Sequence, residues 1–387
     1  MRTIGVVTTS RADYGIYLPL LKRIKNDPDL QLYLIVSGMH LSPEFGLTVR
    51  NIEADGFEIA ERVDMLLSSD SPEGIAKSVG VGVVGFAQVY ARYRPDILVV
   101  FGDRFEMYSA VIAAVPFNIP IAHLHGGELT QGAIDEVLRH SITKMSHLHF
   151  VATEEYARRV QQMGEEAWRV IVSGSLSLDQ LRTMTMLTRA DLASRYNLVL
   201  DKPPLLVTFH STTLEYKKVE WQMSELLAAL EMSNLPVVFT SPNADTHGRV
   251  LLSMIDDYVK SNPAAQKVDT FGTLGYFSMM RFAQAMVGNS SSGIIEAASF
   301  RLPVVNIGNR QKGRARGINV IDVGYDRASI LNGIHRAEAN EFRTSLRDMT
   351  NLYATDVEAA QTILDTLKRV TLDETLLVKK FCDRVDE

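Results

Sequence analysis

TIGVVTTSRADYG, residues 3–15, opens with β-branched and apolar side chains and closes in a polar loop carrying Arg11 and Asp13. Leu18, Leu21 and Ile24 follow at helical spacing, so the segment reads strand, loop, helix. The same grammar recurs outward along the chain. Strand patterns at residues 31–37, 97–102, 119–125 and 148–153 each precede a helix-like segment. The series restarts after about residue 178. A polar helical segment at 179–196 leads to Pro203-Pro204, and strand patterns follow at 205–209, 236–240, 266–269, 285–288, 303–307 and 319–322. Strands alternating with helices build parallel sheets from βαβ units. The sequence therefore predicts two doubly wound α/β domains with a cleft between them, residues 1–177 and 178–364. Residues 357–370 have helical spacing, and a C-terminal helix, about 365–387, is free to pack back on the first domain.

Composition bounds the function. The chain has 387 residues, more than one ordinary core holds. With 46% hydrophobic and 22% charged residues it has a globular balance. A net charge of −6 argues against a general nucleic-acid binder but leaves room for a local basic cluster around a diphosphate. The lone cysteine, Cys382, can form no internal disulfide, and no Cys/His group has zinc spacing, so a cytoplasmic compartment fits. The N-terminus lacks the apolar core of a signal peptide. No run approaches 18 uninterrupted apolar residues, so no membrane span is expected.

In open α/β sheets, ligands bind beyond the carboxyl ends of the strands. Here those ends carry Arg11/Asp13, His40, Asp103/Arg104, His123/His125/Glu128, His210 and Asn243/Asp245. The strongest local signal is Gly288-Asn289-Ser290-Ser291-Ser292-Gly293, followed by Ile294-Ile295-Glu296. A strand ends, small hydroxyl residues turn the chain and a helix begins. Free N–H groups there form an anion site, with the helix dipole adding to them. Ser290, Ser291 and Ser292 add donors, Gly293 adds no bulk, and Glu296 is placed to accept from a ribose hydroxyl. An ordinary serine N-cap is the plain alternative. No Lys-Ser/Thr follows the glycine, so this is not a Walker A loop, and there is no GxGxxG.

Arg11 can grip a diphosphate with its fork of donors, or pair with Asp13 as a structural ion pair. Arg310 adds positive charge near the second anion cluster, or solvates a loop. Asp103, His123, His125, Glu128 and Asp135 are candidates for proton transfer at a sugar carbon. Strict strand alternation sends His123 and His125 to one face. Two buried structural histidines, or a metal pair completed by Glu128 or Asp103, are the alternatives. Asp135, Arg139 and His140 share a helix face and could pair among themselves. His40 and His210, just past strand ends, are candidate ligand donors, and Asn243 could read a nucleotide edge or form an Asx turn.

Taken together, RADYG, SGMHLS, GDRFE, the HGGE segment with its IDE..RHSITK continuation, FHSTT, SPN and GNSSSGIIEA..F..PVVNIGNRQ.GR..G.NV resemble the hydrolysing UDP-N-acetylglucosamine 2-epimerases. The resemblance runs in order from about residue 3 to about residue 322. It implies two Rossmann-like domains in a GT-B-like arrangement, release of UDP and N-acetylmannosamine on a sialic-acid route, no metal or redox cofactor, and a homodimer or homotetramer. It puts catalytic acids on Asp103, Asp135 and the HxxGGE segment. It puts diphosphate and uridine contacts on Arg11, His210, Asn243, Ser290, Ser291, Glu296 and Arg310. One departure stands out. Members of the family read His-Ile-Glu-Gly-Gly-Glu where this chain reads His-Leu-His-Gly-Gly-Glu, with His125 replacing the first glutamate and Glu128 keeping the second. That opens the identity of the base, and also the sugar, with UDP-N,N'-diacetylbacillosamine as the alternative substrate.

Overall fold

Residues buried on both faces of a strand demand cover on both sides of the sheet. A computed structural model describes all residues except position 70 and residues 132–133, 212–217, 242–247 and 384–387, together with the side chains of 248 and 249. Among the described residues the chain divides into two units. The first is Met1–Glu128, Ile134–Gln180 and Tyr353–Glu387; the second is Leu129–Ala133 and Leu181–Leu352.

The first unit holds a parallel sheet of β1 (Arg2–Thr8), β2 (Leu30–Ser37), β3 (Glu61–Val63), β4 (Ile97–Phe101), β5 (Ile121–Leu124), β6 (Leu148–Val151) and β7 (Val170–Val172). Its strand order is β3-β2-β1-β4-β5-β6-β7. Alternate residues feed two cores, as the pleat requires. Ile4, Val6, Leu34, Val36, Ile97 and Val99 face one side, and Val7, Ile35, Leu98 and Val100 the other. The second unit repeats the plan with β8 (Leu205–Thr208), β9 (Val237–Thr240), β10 (Ala265–Val268), β11 (Ala285–Gly288), β12 (Val304–Ile307) and β13 (Val320–Val323), in the order β10-β9-β8-β11-β12-β13. Leu205, Val207, Val237 and Val287 face one core, and Leu206, Val238, Met286 and Val304 the other. Each sheet is doubly wound, and each reverses its winding at one place, between β1 and β4 and between β8 and β11.

The structure shifts several expected boundaries. β3 and β7 were not anticipated; each has three residues at a sheet edge, too short to show a period. The expected helix at 179–196 is two, Leu176–Thr183 and Arg189–Tyr196, the latter begun by a capping box of Thr188 and Asp191. The first unit runs on to Gln180 and resumes at Tyr353, rather than at 177 and 365. The reason lies in the helix Ala359–Arg369. Its Ala359, Ala360, Ile363, Leu364 and Leu367 join the core that holds Tyr17 and Leu21 of the Arg11–Asn26 helix. Both carboxylate oxygens of buried Asp179 cap it, accepting from the N–H groups of Ala359 (2.9 Å) and Ala360 (2.6 Å).

One helix, Pro72–Arg92, is long and apolar enough by composition to cross a membrane, with a mean hydropathy of 1.3. The expectation counted only unbroken apolar runs and passed over it. Its Phe86, Val89 and Tyr90 are buried in the core of the first unit, so it serves as a sheet-covering helix.

Candidate functional site

The switch point of each sheet gathers the polar residues. After β1, Ser10 caps the Arg11–Asn26 helix and forms a capping box with Asp13. Asp13 is turned inward. Its carboxylate accepts from the Thr8 hydroxyl, the Thr9 N–H (3.2 Å) and hydroxyl (2.8 Å), and the Ser10 N–H (3.0 Å) and hydroxyl (3.1 Å). Burial pushes its pKa up, and those donors oppose the shift. His40 is fully buried, with Nε2 3.0 Å from the Thr8 hydroxyl and Nδ1 2.7 Å from the Thr48 hydroxyl. Burial drives its pKa down to about 4. Asp13 and His40, both named as candidate ligand contacts, are buried and spend their polar atoms within the loop that carries Arg11. Arg11 is exposed and, among the described residues, has no hydrogen-bond or ion-pair partner, so the expected alternative of an Arg11–Asp13 pair is not formed.

After β4, the chain passes Gly102 and Asp103 into the Phe105–Ala114 helix. Asp103 pairs with buried Arg139 of the Ile134–Met145 helix. Arg104 grips the buried carboxylate of Glu106 with two donors, at 2.9 and 3.1 Å. On the Ile134–Met145 helix, His140 Nε2 lies 3.2 Å from Glu136, while Asp135 sits half-buried on the first turn.

β5 separates the two histidines that alternation had placed together. His123 is 0% exposed; its Nδ1 meets the Thr143 hydroxyl at 3.1 Å and its Nε2 the Gly102 carbonyl at 2.8 Å. Burial lowers its pKa to about 3. His123, named as a proton-transfer candidate, thus has both ring nitrogens engaged inside the protein. The strand ends at Leu124, and His125 adopts φ +63, so alternation no longer applies. The His125 Nδ1 lies 2.6 Å from Glu128 Oε1. Among the described residues no three His, Cys, Asp or Glu side chains converge to hold a metal.

In the second unit the serine-rich turn follows β11. Gly288 has φ +138, and a Cβ there would overlap the Thr208 carbonyl, so the close approach of β8 and β11 requires glycine. Asn289, 1% exposed, ties the two strand ends together. Its Oδ1 accepts from the His210 N–H at 2.8 Å, its Nδ2 donates to the His210 carbonyl at 2.8 Å, and its own N–H donates to Thr208 at 3.1 Å. Its carbonyl accepts from Arg310 Nη1 (3.0 Å) and Gln311 Nε2 (2.9 Å). His210 is buried, and burial followed by the Arg310 charge brings its pKa down to about 3, so its ring is neutral at physiological pH.

Ser290 and Ser291 keep their backbone N–H groups unspent among the described residues, while Ser292 N–H donates to the Ser290 hydroxyl at 3.3 Å. The helix that follows, Ser292–Ile295, is one turn long, and Gly293 packs against Val304 within it. A macrodipole sums over aligned peptides, so its contribution here is small. The donors that this turn offers are local, two N–H groups and the serine hydroxyls, with little of the expected dipole contribution.

Tyr276, on the Gly272–Phe282 helix, was not singled out by sequence reading. Burial pushes its phenol up to about 12, and its hydroxyl meets the side chains of Thr208, Ser290 and Ser292 beside Glu296. Its signal was indistinguishable from a core aromatic. Asn289 was quoted only as part of the serine motif, because its role is a cross-strand bond. Asn243 lies outside the described residues.

The family description "UDP-N-acetylglucosamine 2-epimerase" matches residues 22–368 of the chain. A Campylobacter jejuni protein named GDP/UDP-N,N'-diacetylbacillosamine 2-epimerase (hydrolyzing) is 40% identical over 384 residues, 99% of each chain. The chain belongs to the UDP-N-acetylglucosamine 2-epimerase family. It is an enzyme of that type. A Legionella pneumophila relative named UDP-N,N'-diacetylbacillosamine 2-epimerase (hydrolyzing) is 38% identical over 337 residues, 87% of this chain and 89% of its own. The solved structure of UDP-GlcNAc 2-epimerase from Neisseria meningitidis, bound to UDP-GlcNAc, is 16% identical, covers 96% of this chain and 100% of its own, and superposes with a TM-score of 0.80. That likeness establishes the GT-B-like class of the epimerase fold.

Proposed function

We propose that this epimerase hydrolyses a UDP-linked 2-acetamido sugar with inversion at C2, and that the sugar carries a second acetamido group, as in UDP-N,N'-diacetylbacillosamine. UDP leaves by elimination across C1 and C2, giving a 2-acetamidoglucal, and water then adds across the double bond. The observation that carries the reading of the nucleotide site is the Asn289 clamp, which holds His210, Arg310 and the unspent N–H groups of Ser290 and Ser291 at one switch point. Charge developing on the departing diphosphate meets preorganised donors there, the condition for transition-state stabilisation. Glu296 would accept from the ribose, and Arg11 would add a fork of donors to the diphosphate. Asp103, paired with Arg139, and Asp135 supply acid–base groups.

The second acetamido group is favoured by the names of the 40% and 38% identical relatives. UDP-N-acetylglucosamine, the substrate in the family's own description, is the second reading, with N-acetylmannosamine as product on a sialic-acid-type route. On either reading we infer a cytoplasmic enzyme. We further infer a homodimer or homotetramer. Val81, Val84 and Ile112 stand exposed on the packed helices Pro72–Arg92 and Phe105–Ala114, an apolar surface suited to a second copy. Light scattering during gel filtration tests the assembly.

The activity test is incubation with both UDP-sugars in deuterated water, without any acceptor, followed by NMR. The expected products are free UDP and the 2-epimeric sugar deuterated at C2, with kcat/KM higher for the diacetamido substrate. UDP-sugar returned intact, or no UDP without an acceptor, would count against the reading. A preference for UDP-N-acetylglucosamine would select the second one.

A further inference from the structure

β5 holds His123 and ends one residue before His125, and the fold treats the two histidines oppositely. His123 has both ring nitrogens satisfied. His125 is 7% exposed, and its Nε2 is buried with no hydrogen-bond partner among the described residues. A buried polar atom left open in this way calls for a physical reason. The backbone adds a second observation. His125 lies at φ +63, the left-handed region that residues other than glycine seldom adopt and that clusters at functional sites. Its N–H still pairs with Phe150 at 2.9 Å, so the sheet fixes the residue while its ring is turned out of the strand's alternation. The ring packs on Phe101, with centroids 4.7 Å apart, and its Nδ1 meets buried Glu128 at 2.6 Å. A carboxylate at Nδ1 keeps the proton on that nitrogen and leaves the lone pair on Nε2.

We propose that His125 is the base that removes the C2 proton of the UDP-sugar through Nε2, and that Glu128 is its positioning residue. This rests on the hydrolysing 2-epimerase reading. In the step, the C2–H electron pair becomes the second bond of C1=C2, the bond from C1 to the diphosphate oxygen breaks, and UDP leaves with that electron pair. The proton stays on Nε2, and Glu128 stabilises the imidazolium through Nδ1. Hydration then adds hydroxide to C1 and a proton to C2. Inversion requires that proton to arrive on the opposite face, so a group other than His125 delivers it. The charged and titratable groups on the elements around the turn include Glu128 itself, His123 of β5, His149 of β6 with Glu165, Asp103 with Arg139, His140 with Glu136, Arg104 with Glu106, and Arg159 of the Glu154–Gln162 helix, which donates to the Gly127 carbonyl at 2.5 Å.

The test uses His125→Asn, His125→Glu and Glu128→Gln in the full chain, assayed with whichever UDP-sugar the wild type turns over. Asparagine adopts the left-handed backbone more readily than other non-glycine residues, so His125→Asn should fold; UDP titration and thermal unfolding check this. We expect His125→Asn to lose about 10³-fold in kcat, with KM within about threefold. It should still hydrate added 2-acetamidoglucal at close to the wild-type rate. His125→Glu should recover part of the loss, with its acid limb moved to lower pH, as a carboxylate base requires. Glu128→Gln should lose about 10–100-fold in kcat, and its acid limb should also move to lower pH, because the imidazolium loses its counter-charge. The proposal is overturned if His125→Asn keeps more than a tenth of kcat, or if both half-reactions fall together. An unmoved acid limb in Glu128→Gln overturns the positioning role. A wild type inert towards every UDP-2-acetamido sugar sinks the activity beneath it, an outcome distinct from these.

Discussion

Asn289→Ala probes the joint on which the nucleotide site is built. The side chain exchanges two hydrogen bonds with the backbone of His210, both 2.8 Å long, and the substitution deletes only those two. The bonds from the Asn289 backbone to Thr208, Arg310 and Gln311 remain available. His210 is buried, so its N–H and carbonyl lose these two bonds where water does not readily replace them. Each such group costs about 1–3 kcal/mol, so the pair costs ~2–4 kcal/mol after partial relaxation. If one charge-assisted contact to the diphosphate is lost with the register, UDP affinity drops about tenfold. Urea unfolding followed through Trp221 reads the second unit directly when Trp168, which lies in the first, is replaced by phenylalanine. Calorimetric titration with UDP reads the site. A loss below about 1 kcal/mol at unchanged m, together with unchanged UDP affinity, would refute the claim that this exchange holds the two strand ends in register.

Three further outcomes follow from the same geometry. Asp103→Asn should keep the fold, since Arg139 retains a hydrogen-bonding partner, yet lower kcat by about 10²-fold, as expected for loss of an acid–base group; steady-state kinetics beside a melting curve separates the two effects. Burial holds His40 and His147 near pKa 4 and His123 and His210 near 3. Below about pH 6.5 the unfolded chain binds protons that the folded one refuses, so stability is lost as pH falls, by about 1.4 kcal/mol per pH unit for each histidine until its folded pKa is reached; a melting temperature unchanged from pH 7 to pH 5 would contradict this. Burial alone would raise the pKa of Glu165, but hydrogen bonds from His149, Lys144 and Lys379 bring it to about 2. Glu165→Gln leaves two lysines without their counter-charge, so we expect a loss of about 3 kcal/mol and faster proteolysis of the chain around Lys379.

The two sheets were legible because buried parallel strands write themselves as apolar runs, and because polar residues collect where those runs stop. Short edge strands such as Glu61–Val63 carry no period and left no trace. The expectation for His123 and His125 failed because alternation holds only inside a strand, and β5 ends between them. The capping role of Asp13 was not legible, because a capping carboxylate and a binding carboxylate look alike in sequence and only its contacts show the inward turn. Tyr276 and the clamp of Asn289 on His210 depend on contacts between distant segments, about which local spacing is silent.

The first unit is discontinuous, and this bears on how the chain is made. Its core takes in Ala359, Ile363, Leu367 and Leu376, whereas every strand of the second sheet lies between residues 205 and 323. During synthesis the first unit has its strands by Val172 and the second by Val323, yet the first still waits with an open apolar flank for a helix not yet translated. A released chain ending at about residue 352 would carry the whole second unit attached to a first unit whose open flank is exposed to chaperones and proteases.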